Sequence, residues 1–284
     1  MKIIECPRDA MQGIETFIPT EKKIEYINQI LKCGFDTIDF GSFVSPKAIP
    51  QLKDTAEVLK GLNLKESNSK LLAIIANTRG AEDACHFPEI DYLGFPFSIS
   101  ETFQQRNTNS SIDQSLTRVE EIQNLCLKNN KKLVVYISMA FGNPYGDKWD
   151  IDIAYKWTNK LAKELDIKII ALADTIGVSN PENINYMFKN LIPEFNDVEL
   201  GAHLHTTPEK WQEKVEAVWA SGCRRIDSAI KGFGGCPMAS DNLTGNMATE
   251  NVLFYLEEQK IESGIDKNQF NEALKMATFV FPNH

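Results

Sequence analysis

The sequence lacks a long hydrophobic run, a basic surplus and any Cys-x-x-Cys pair, and each absence excludes a class of protein. None of its apolar runs approaches the roughly 18 residues that a membrane-spanning helix needs. Its 30 Lys and Arg residues against 39 Asp and Glu residues give a net charge of −9, whereas nucleic-acid-binding proteins usually carry a basic surplus. We therefore expect neither a membrane protein nor a nucleic-acid partner, although a local basic pocket can still bind a small anion.

The few cysteines and the composition point to a reduced, globular protein. Six cysteines lie scattered along 284 residues, which favours free thiols over a disulfide framework. Residues 1–9 contain no apolar segment typical of a signal peptide, so we expect a cytoplasmic location. Hydrophobic residues make up 43% and charged residues 24%, which excludes a disordered chain.

Eight short apolar runs recur along the chain. Near-continuous apolar character in short runs is typical of parallel strands covered on both faces. No linker rich in Pro, Gly or Ser interrupts them, so we expect a single domain over residues 1–284. The predicted strands are residues 2–6, 37–40, 71–76, 92–95, 133–137, 168–173, 200–205 and 225–229.

Between these runs, apolar residues recur at the three- and four-residue spacings of helices. Thr20 is the predicted N-cap of the first helix, and Pro208 the first residue of the last. Strands that alternate with helices predict a (β/α)8 TIM barrel with a short C-terminal helical extension, and an open doubly wound sheet is the alternative. The predicted helices are residues 19–32, 50–62, 112–127, 151–165, 181–191 and 208–221.

Polar side chains follow the strands at their carboxyl ends. In a barrel all of these positions lie on one rim, where active sites are built. Their shared location is a stronger signal than any of them alone. They are Arg8 and Asp9 after the first strand, Asp39 and Ser42 at the second, Asp174 and Thr175 at the sixth, His203 and His205 at the seventh, and Lys231 after the eighth.

The His203-Leu204-His205 segment predicts a metal site. Residues two apart on a strand face the same side, so both imidazoles point inward together. With Asp9 nearby, they suit a catalytic divalent cation, Mg²⁺ or Mn²⁺ before Zn²⁺ or Co²⁺; a pair of hydrogen-bonded core histidines is the alternative. Asn246 could supply an amide oxygen to the cation or cap the helix that begins near Ala248.

Three further positions have a structural and a functional interpretation. The glycine-rich segment 232–237 is either a flexible turn or a mobile loop that presents Cys236 to the site. Asp39 on an apolar strand needs a partner such as Arg8, which is either a simple ion-pair residue or a group that stabilises an enolate. Asp174 either organises a turn or faces the pocket.

Four segments resemble the hydroxymethylglutaryl-CoA lyase family, within the superfamily of metal-dependent TIM-barrel lyases and Claisen-type synthases. The segments are Pro-Arg-Asp-Ala-Met-Gln at 7–12, Ser-Phe-Val-Ser-Pro-Lys at 42–47, Asp-Thr-Ile-Gly-Val at 174–178 and Gly-Phe-Gly-Gly-Cys-Pro at 232–237. The resemblance runs from about residue 2 to residue 255. The second and fourth segments are the ones that resemble the lyase branch.

The resemblance implies a set of functional residues. It implies a cation bound by Asp9, His203, His205 and Asn246. It implies that Arg8 and Cys236 are catalytic and that Asp9 or His203 is the base. It further implies a substrate pocket that includes Gln12, Asp39, Ser42, Asp174 and Thr175. Two departures are that Asp39 replaces a family glutamate and Thr206 a family aspartate.

The implied reaction is the metal-dependent cleavage of 3-hydroxy-3-methylglutaryl-CoA to acetyl-CoA and acetoacetate, as in leucine degradation, by a homodimer. One alternative is a related synthase or aldolase that acts on a 2-oxo acid or a 4-hydroxy-2-oxo acid. Another is a non-catalytic metal-binding barrel. An acyl-CoA substrate is anionic, and candidates for its positive pocket are Lys47, Arg79, Arg106 and Lys231.

Overall fold

The computed structural model describes residues 1–235 and 244–281, and its eight strands form a closed parallel barrel. Each strand pairs with the next, and β8 pairs with β1. This confirms the predicted TIM barrel and excludes the open sheet. The strands are β1 (Lys2–Glu5), β2 (Thr37–Ser42), β3 (Lys70–Ile74), β4 (Tyr92–Ser98), β5 (Lys132–Ser138), β6 (Ile169–Asp174), β7 (Glu199–Leu204) and β8 (Arg225–Ser228).

Helices surround the barrel and extend it at the C-terminal end. They are α1 (Pro7–Gln12), α2 (Thr20–Leu31), α3 (Thr55–Lys60), α4 (Thr78–Cys85), α5 (Glu101–Thr108), α6 (Ile112–Lys128), α7 (Ile151–Asn159), α8 (Pro181–Glu194), α9 (Trp211–Ala220), α10 (Thr249–Glu258) and α11 (Lys267–Val280). In the predicted C-terminal extension, α11 packs against α2, where the Tyr26 and Phe281 rings meet edge to face at 5.6 Å. Among the described residues, none of the helices combines the length and apolar character needed to cross a membrane.

Three predicted helix starts are wrong. The helix predicted from residue 50 begins as a short 3-10 helix (Pro50–Leu52), and α3 itself starts at Thr55. Pro19, not Thr20, is the N-cap of α2, because the Thr20 hydroxyl donates a hydrogen bond to the Asp54 carboxylate (2.8 Å) instead of accepting one from its own helix. Helix α9 begins at Trp211, because Pro208 lies in a turn that is closed by a hydrogen bond from the Lys210 amide to the Thr207 carbonyl (3.1 Å).

Side chains alternate between the two faces of each strand and so form two separate cores. Residues such as Ile170 and Leu172 of β6 face outward and pack against the helices. Their neighbours Ile169 and Ala171 face the barrel interior, together with Leu72, Val134 and Tyr136. This inner apolar layer supports the polar groups that follow at the carboxyl ends of the strands.

Glu5 of β1 is a buried carboxyl that faces the helical layer. It accepts hydrogen bonds from the Ile230 amide (2.9 Å) and the Thr249 hydroxyl (2.5 Å), and so joins β1 to the start of α10. Burial raises its pKa from 4.5 to about 8, despite these two hydrogen bonds. Glu5 is therefore protonated in the folded protein at neutral pH.

The raised pKa of Glu5 predicts a pH dependence of stability. Between pH 4.5 and about 8 the unfolded chain has released this proton and the folded protein retains it, so stability falls as the pH rises. We expect the unfolding free energy of the wild type to fall by about 1 kcal/mol per pH unit relative to Glu5→Gln across this window. Urea titrations of both proteins at several pH values test this, and parallel pH profiles would contradict it.

Candidate active site

A cavity of about 380 Å³ opens at the C-terminal mouth of the barrel. This is the rim on which the sequence placed the polar residues, and the size suits a small-molecule site. Predicted site residues that line it are Arg8, Asp9, Gln12, Thr175, His203 and His205.

Asp9, His203 and His205 line the cavity and form one cluster. One ligand atom from each lies within 4.8 Å of the others. Nδ1 of His205 is buried and has no hydrogen-bond partner among the described residues. One carboxylate, two imidazoles and an unpaired ring nitrogen fit a divalent cation, because such a set leaves coordination positions open for substrate.

Asn246 joins this cluster from the segment before α10. Its amide nitrogen donates hydrogen bonds to the Asp9 carboxylate (2.7 Å) and the Phe233 carbonyl (2.9 Å). Helix α10 is capped by Ala248 without any side-chain bond, so Asn246 does not act as its cap. A Cβ on Gly234 would lie 2.7 Å from this amide nitrogen and from the Asp9 carbonyl oxygen, so only glycine fits beside Asn246.

The charges in the cluster favour the metal-binding forms of Asp9 and His205, but they favour the protonated form of His203. Burial raises the pKa of Asp9, but Arg8 and the two imidazoles outweigh it and hold the net pKa below the ordinary value. Burial and the neighbouring His203 lower the pKa of His205 to about 4, so this imidazole is neutral at physiological pH. Burial lowers the pKa of His203, but the Asp227 carboxylate outweighs it and the net pKa is raised.

Arg8 bridges the two buried carboxylates beside the cavity. Its Nε and Nη2 atoms donate to Asp39 (2.9 and 2.5 Å), and Nη1 donates to Asp9 (2.9 Å) and Gln12 (2.8 Å). This confirms Arg8 as the partner that Asp39 requires. Burial, offset in part by Arg8, raises the pKa of Asp39 to about 6. Four of the five guanidinium N–H groups are occupied, and one on Nη2 has no partner among the described residues.

The other predicted pocket residues differ in their positions. The amide of Gln12 donates to Asp9 (2.7 Å), and the Thr175 hydroxyl accepts from the Met139 amide (3.0 Å) at the cavity wall. Asp39 lies behind Arg8, and the Ser42 hydroxyl accepts from the Val44 amide (3.1 Å); neither lines the cavity.

Asp174 does not face the cavity, because it continues the outward side of β6. Its carboxylate accepts hydrogen bonds from the amides of Val178 and Ser179 (2.8 and 2.9 Å), and from the Ser179 hydroxyl (2.5 Å). The fourth donor is the fully buried ammonium of Lys214 on α9 (2.9 Å). The structural interpretation of Asp174, a turn organiser, therefore describes its surroundings better than a pocket position.

Lys214 is a structural residue that the sequence analysis missed. Its ammonium also donates to the carbonyls of Gly177 (3.1 Å) and His205 (2.8 Å). It therefore ties the loop after β6 to the main chain of a candidate metal ligand. The sequence does carry a signal for this role, because Lys214 lies on the apolar face of a predicted helix.

Arg106 alone among the four candidate basic residues lines the cavity, where its guanidinium lies 4.6 Å from the centre of the Tyr145 ring. Lys231 instead points to α11 and donates to the Thr278 hydroxyl (2.9 Å). Lys47 and Arg79 are exposed. Cys236 lies outside the described residues, so its predicted role stays a prediction.

Comparison with known proteins identifies the family. The model of the HMGL-like family matches residues 2–277, nearly the whole chain. This chain belongs to the HMGL-like family. The family membership predicted from four short segments is thereby confirmed over nearly the whole chain.

Relatives of known sequence come from bacteria and mammals. The chain is 32% identical over 269 residues to a hydroxymethylglutaryl-CoA lyase of Bacillus subtilis, covering 95% of this chain and 89% of the relative. It is 33% identical over 276 residues to the mitochondrial hydroxymethylglutaryl-CoA lyase of Bos taurus, covering 96% and 83%. The cytoplasmic 3-hydroxy-3-methylglutaryl-CoA lyase of Rattus norvegicus is 31% identical, with 96% and 79% covered.

Solved structures show the same fold. An HMG-CoA lyase of Acinetobacter baumannii, in complex with coenzyme A and 3-methylmalate, matches with a TM-score of 0.92 at 30% identity, covering 99% of this chain and 91% of that one. The HMG-CoA lyase of Bacillus subtilis matches with a TM-score of 0.91 at 30% identity, covering 98% and 92%.

Proposed function

We propose that this protein is a divalent-metal-dependent lyase that cleaves 3-hydroxy-3-methylglutaryl-CoA, or a close 3-hydroxy-3-alkylglutaryl-CoA, to acetyl-CoA and acetoacetate. The observation that carries the proposal is the contact of Arg8 with Asp9 (2.9 Å) beside the His203 and His205 imidazoles. It brings an enolate-stabilising cation and a candidate metal site to one cavity in a chain of the HMGL-like family. The same reaction occurs in leucine degradation, where we place this protein.

Asp9, His203, His205 and Asn246 are the proposed ligands, and Mg²⁺ or Mn²⁺ the proposed cation. The unpaired Nδ1 of His205 supports this assignment, because an isolated polar nitrogen in a buried site costs free energy unless a ligand occupies it. For Asn246 to contribute its oxygen, the amide that now donates to Asp9 must turn over. A bound cation would coordinate substrate oxygens and make the C3 hydroxyl easier to deprotonate.

Different side chains of the protein carry out the two proton transfers of the reaction. Asp9 or His203 accepts the proton of the C3 hydroxyl, the C2–C3 bond breaks, and its electron pair passes to the thioester as an enolate. The unoccupied N–H on Nη2 of Arg8 is available to stabilise the enolate oxygen. Cys236 returns a proton to C2, which completes acetyl-CoA. Gln12 and Thr175 are the proposed substrate contacts in the cavity wall, and Asp39 acts on the site through Arg8.

A substrate panel tests the proposed reaction. Metal-stripped protein is given 3-hydroxy-3-methylglutaryl-CoA and longer 3-alkyl analogues, with and without Mg²⁺ or Mn²⁺, and acetyl-CoA and acetoacetate are measured. We expect cleavage only with metal. Condensation of acetyl-CoA with a 2-oxo acid, or cleavage of a 4-hydroxy-2-oxo acid, would instead establish the synthase or aldolase alternative. Metal binding without turnover of any substrate would establish a non-catalytic barrel.

The proposed proton donor predicts the effect of Cys236→Ser. We expect kcat to fall at least about 100-fold with little change in KM, because a serine hydroxyl is a far weaker acid than a thiol. Cys85→Ser, at a half-buried thiol on α4, is the matched control and should retain the wild-type kcat. Wild-type turnover in Cys236→Ser would exclude the proposed proton donor.

The proposal extends to the assembly and the location of the protein. We propose that residues 1–284 form a single catalytic domain, that the protein is a homodimer and that it acts in the cytoplasm. The cytoplasmic rat relative supports the location, and the mitochondrial bovine relative makes cell fractionation the deciding measurement. Light scattering of the purified protein measures the mass of the assembly.

A further inference from the structure

Asp227 holds the His203 imidazole from inside the barrel. These residues are register partners on neighbouring strands β8 and β7, and both face the interior. Oδ2 of Asp227 lies 3.2 Å from Nδ1 of His203, and the carboxylate side chain is fully buried. No other hydrogen bond to the His203 ring is found among residues 1–235 and 244–281. Asp227 therefore contacts one ring nitrogen of a candidate metal ligand without belonging to the ligand cluster.

This contact selects one tautomer of His203. An ionised carboxylate only accepts hydrogen bonds, so Nδ1 must carry the proton that lies between the two groups. The lone pair of the neutral ring is then on Nε2, the nitrogen left free to bind a ligand. Once Nε2 binds the cation, His203 keeps no lone pair for a proton, so Asp9 is left as the base. A metal-binding histidine usually donates its other N–H to such a partner, which fixes the ring and strengthens the metal bond.

The neighbours of Asp227 hold the arrangement in place. The Tyr136 ring meets the His203 ring edge to face at 5.7 Å, which limits its rotation. Arg225, two positions earlier on β8, is buried below Asp227 and donates to Glu199 (3.0 Å). Its positive charge compensates the Asp227 carboxylate inside the barrel, where an uncompensated charge would be costly.

We propose that Asp227 is a positioning residue, which fixes His203 in the Nδ1–H tautomer and so presents Nε2 to the cation. The resemblance to the lyase family does not imply a role for Asp227. The proposal rests on His203 being a metal ligand, as proposed above. Its hydrogen-bond part can nevertheless be tested on metal-free protein.

The tautomer can be measured directly by ¹⁵N NMR of the imidazoles. The chain contains only four histidines, so the His203 signals can be assigned by comparison with His203→Ala. In the metal-free wild type, at a pH high enough for the His203 ring to be neutral, we expect a protonated Nδ1 and an unprotonated Nε2. An Nε2–H tautomer for His203 would overturn the proposal, whatever the fate of any variant.

Mn²⁺ binding to Asp227→Asn tests the consequence for the metal. An amide can donate as well as accept, so it permits the other tautomer. We expect mixed tautomers of His203 and binding weakened about 10- to 100-fold. The control is Asp54→Asn, which removes a buried carboxylate paired with Lys23 (2.7 Å) away from the cavity, and should bind Mn²⁺ like the wild type.

The outcomes separate this proposal from the proposed function. An unchanged tautomer together with Mn²⁺ affinity within twofold of the wild type in Asp227→Asn would overturn the role of Asp227. A wild type that shows the expected tautomer but binds no Mn²⁺ would overturn the metal site and support the hydrogen bond.

Discussion

Replacing Arg8 with methionine is expected to lower kcat/KM at least about 1,000-fold and to destabilise the protein by about 3–5 kcal/mol. The guanidinium is the only cation that contacts the buried carboxylates of Asp9 and Asp39 among the described residues. Without it both carboxylates lose their ion-pair partner, and Asp9 keeps only the hydrogen bonds from Gln12 and Asn246. Asp39, whose pKa is already raised to about 6, would take up a proton at neutral pH. The enolate would also lose the N–H donor that we propose for it.

Steady-state kinetics and urea denaturation of Arg8→Met measure the two effects. Arg8→Lys separates charge from geometry, because one ammonium cannot form the paired N–H contacts that Arg8 makes with Asp39 while also reaching Asp9. Arg224→Met, which removes a guanidinium stacked on Trp219 outside the cavity, is the control for loss of an arginine. Activity within tenfold of the wild type in Arg8→Met would exclude its catalytic role.

Replacing His203 with alanine is expected to abolish metal-dependent activity, a loss of more than about 1,000-fold. The change removes one of the four proposed ligands and leaves a cation with Asp9, His205 and Asn246. Mn²⁺ affinity should fall together with activity, because both depend on the same imidazole.

Titration calorimetry with Mn²⁺ and turnover after chelator treatment are the measurements. The wild type should lose activity with the chelator and regain it when Mg²⁺ or Mn²⁺ is added. His86→Ala, at an exposed histidine at the end of α4, should behave like the wild type. A His203→Ala protein that remains fully active after chelation would refute the metal assignment.

The barrel was predictable because burial on both faces makes each strand a short apolar run. All eight strands were located to within three residues at their ends. Helix starts were less predictable, because tertiary contacts decided them. The Thr20 hydroxyl donates its hydrogen bond to Asp54 instead of capping its helix, and Pro208 lies in a turn before α9.

The candidate site was predictable where metal-ligating residues follow the carboxyl end of a predicted strand. His203 and His205 lie two apart on one strand, so their shared direction follows from the sequence. The outward direction of Asp174 depends on where β6 ends, which the apolar run alone misplaced by one residue. The contact between Asp227 and His203 could not be predicted from the sequence, because the closed barrel sets the register between their two strands.

Barrel closure decides when the metal site can exist during synthesis and folding. Asp9 comes from the first βα unit and hydrogen-bonds to Asn246, 237 positions later. A nascent chain or an open folding intermediate therefore holds the individual ligands without the site. A cation that binds only the completed cluster would stabilise the closed barrel relative to partly folded chains. It would link the segment after β1 to the segment after β8, where these two strands pair.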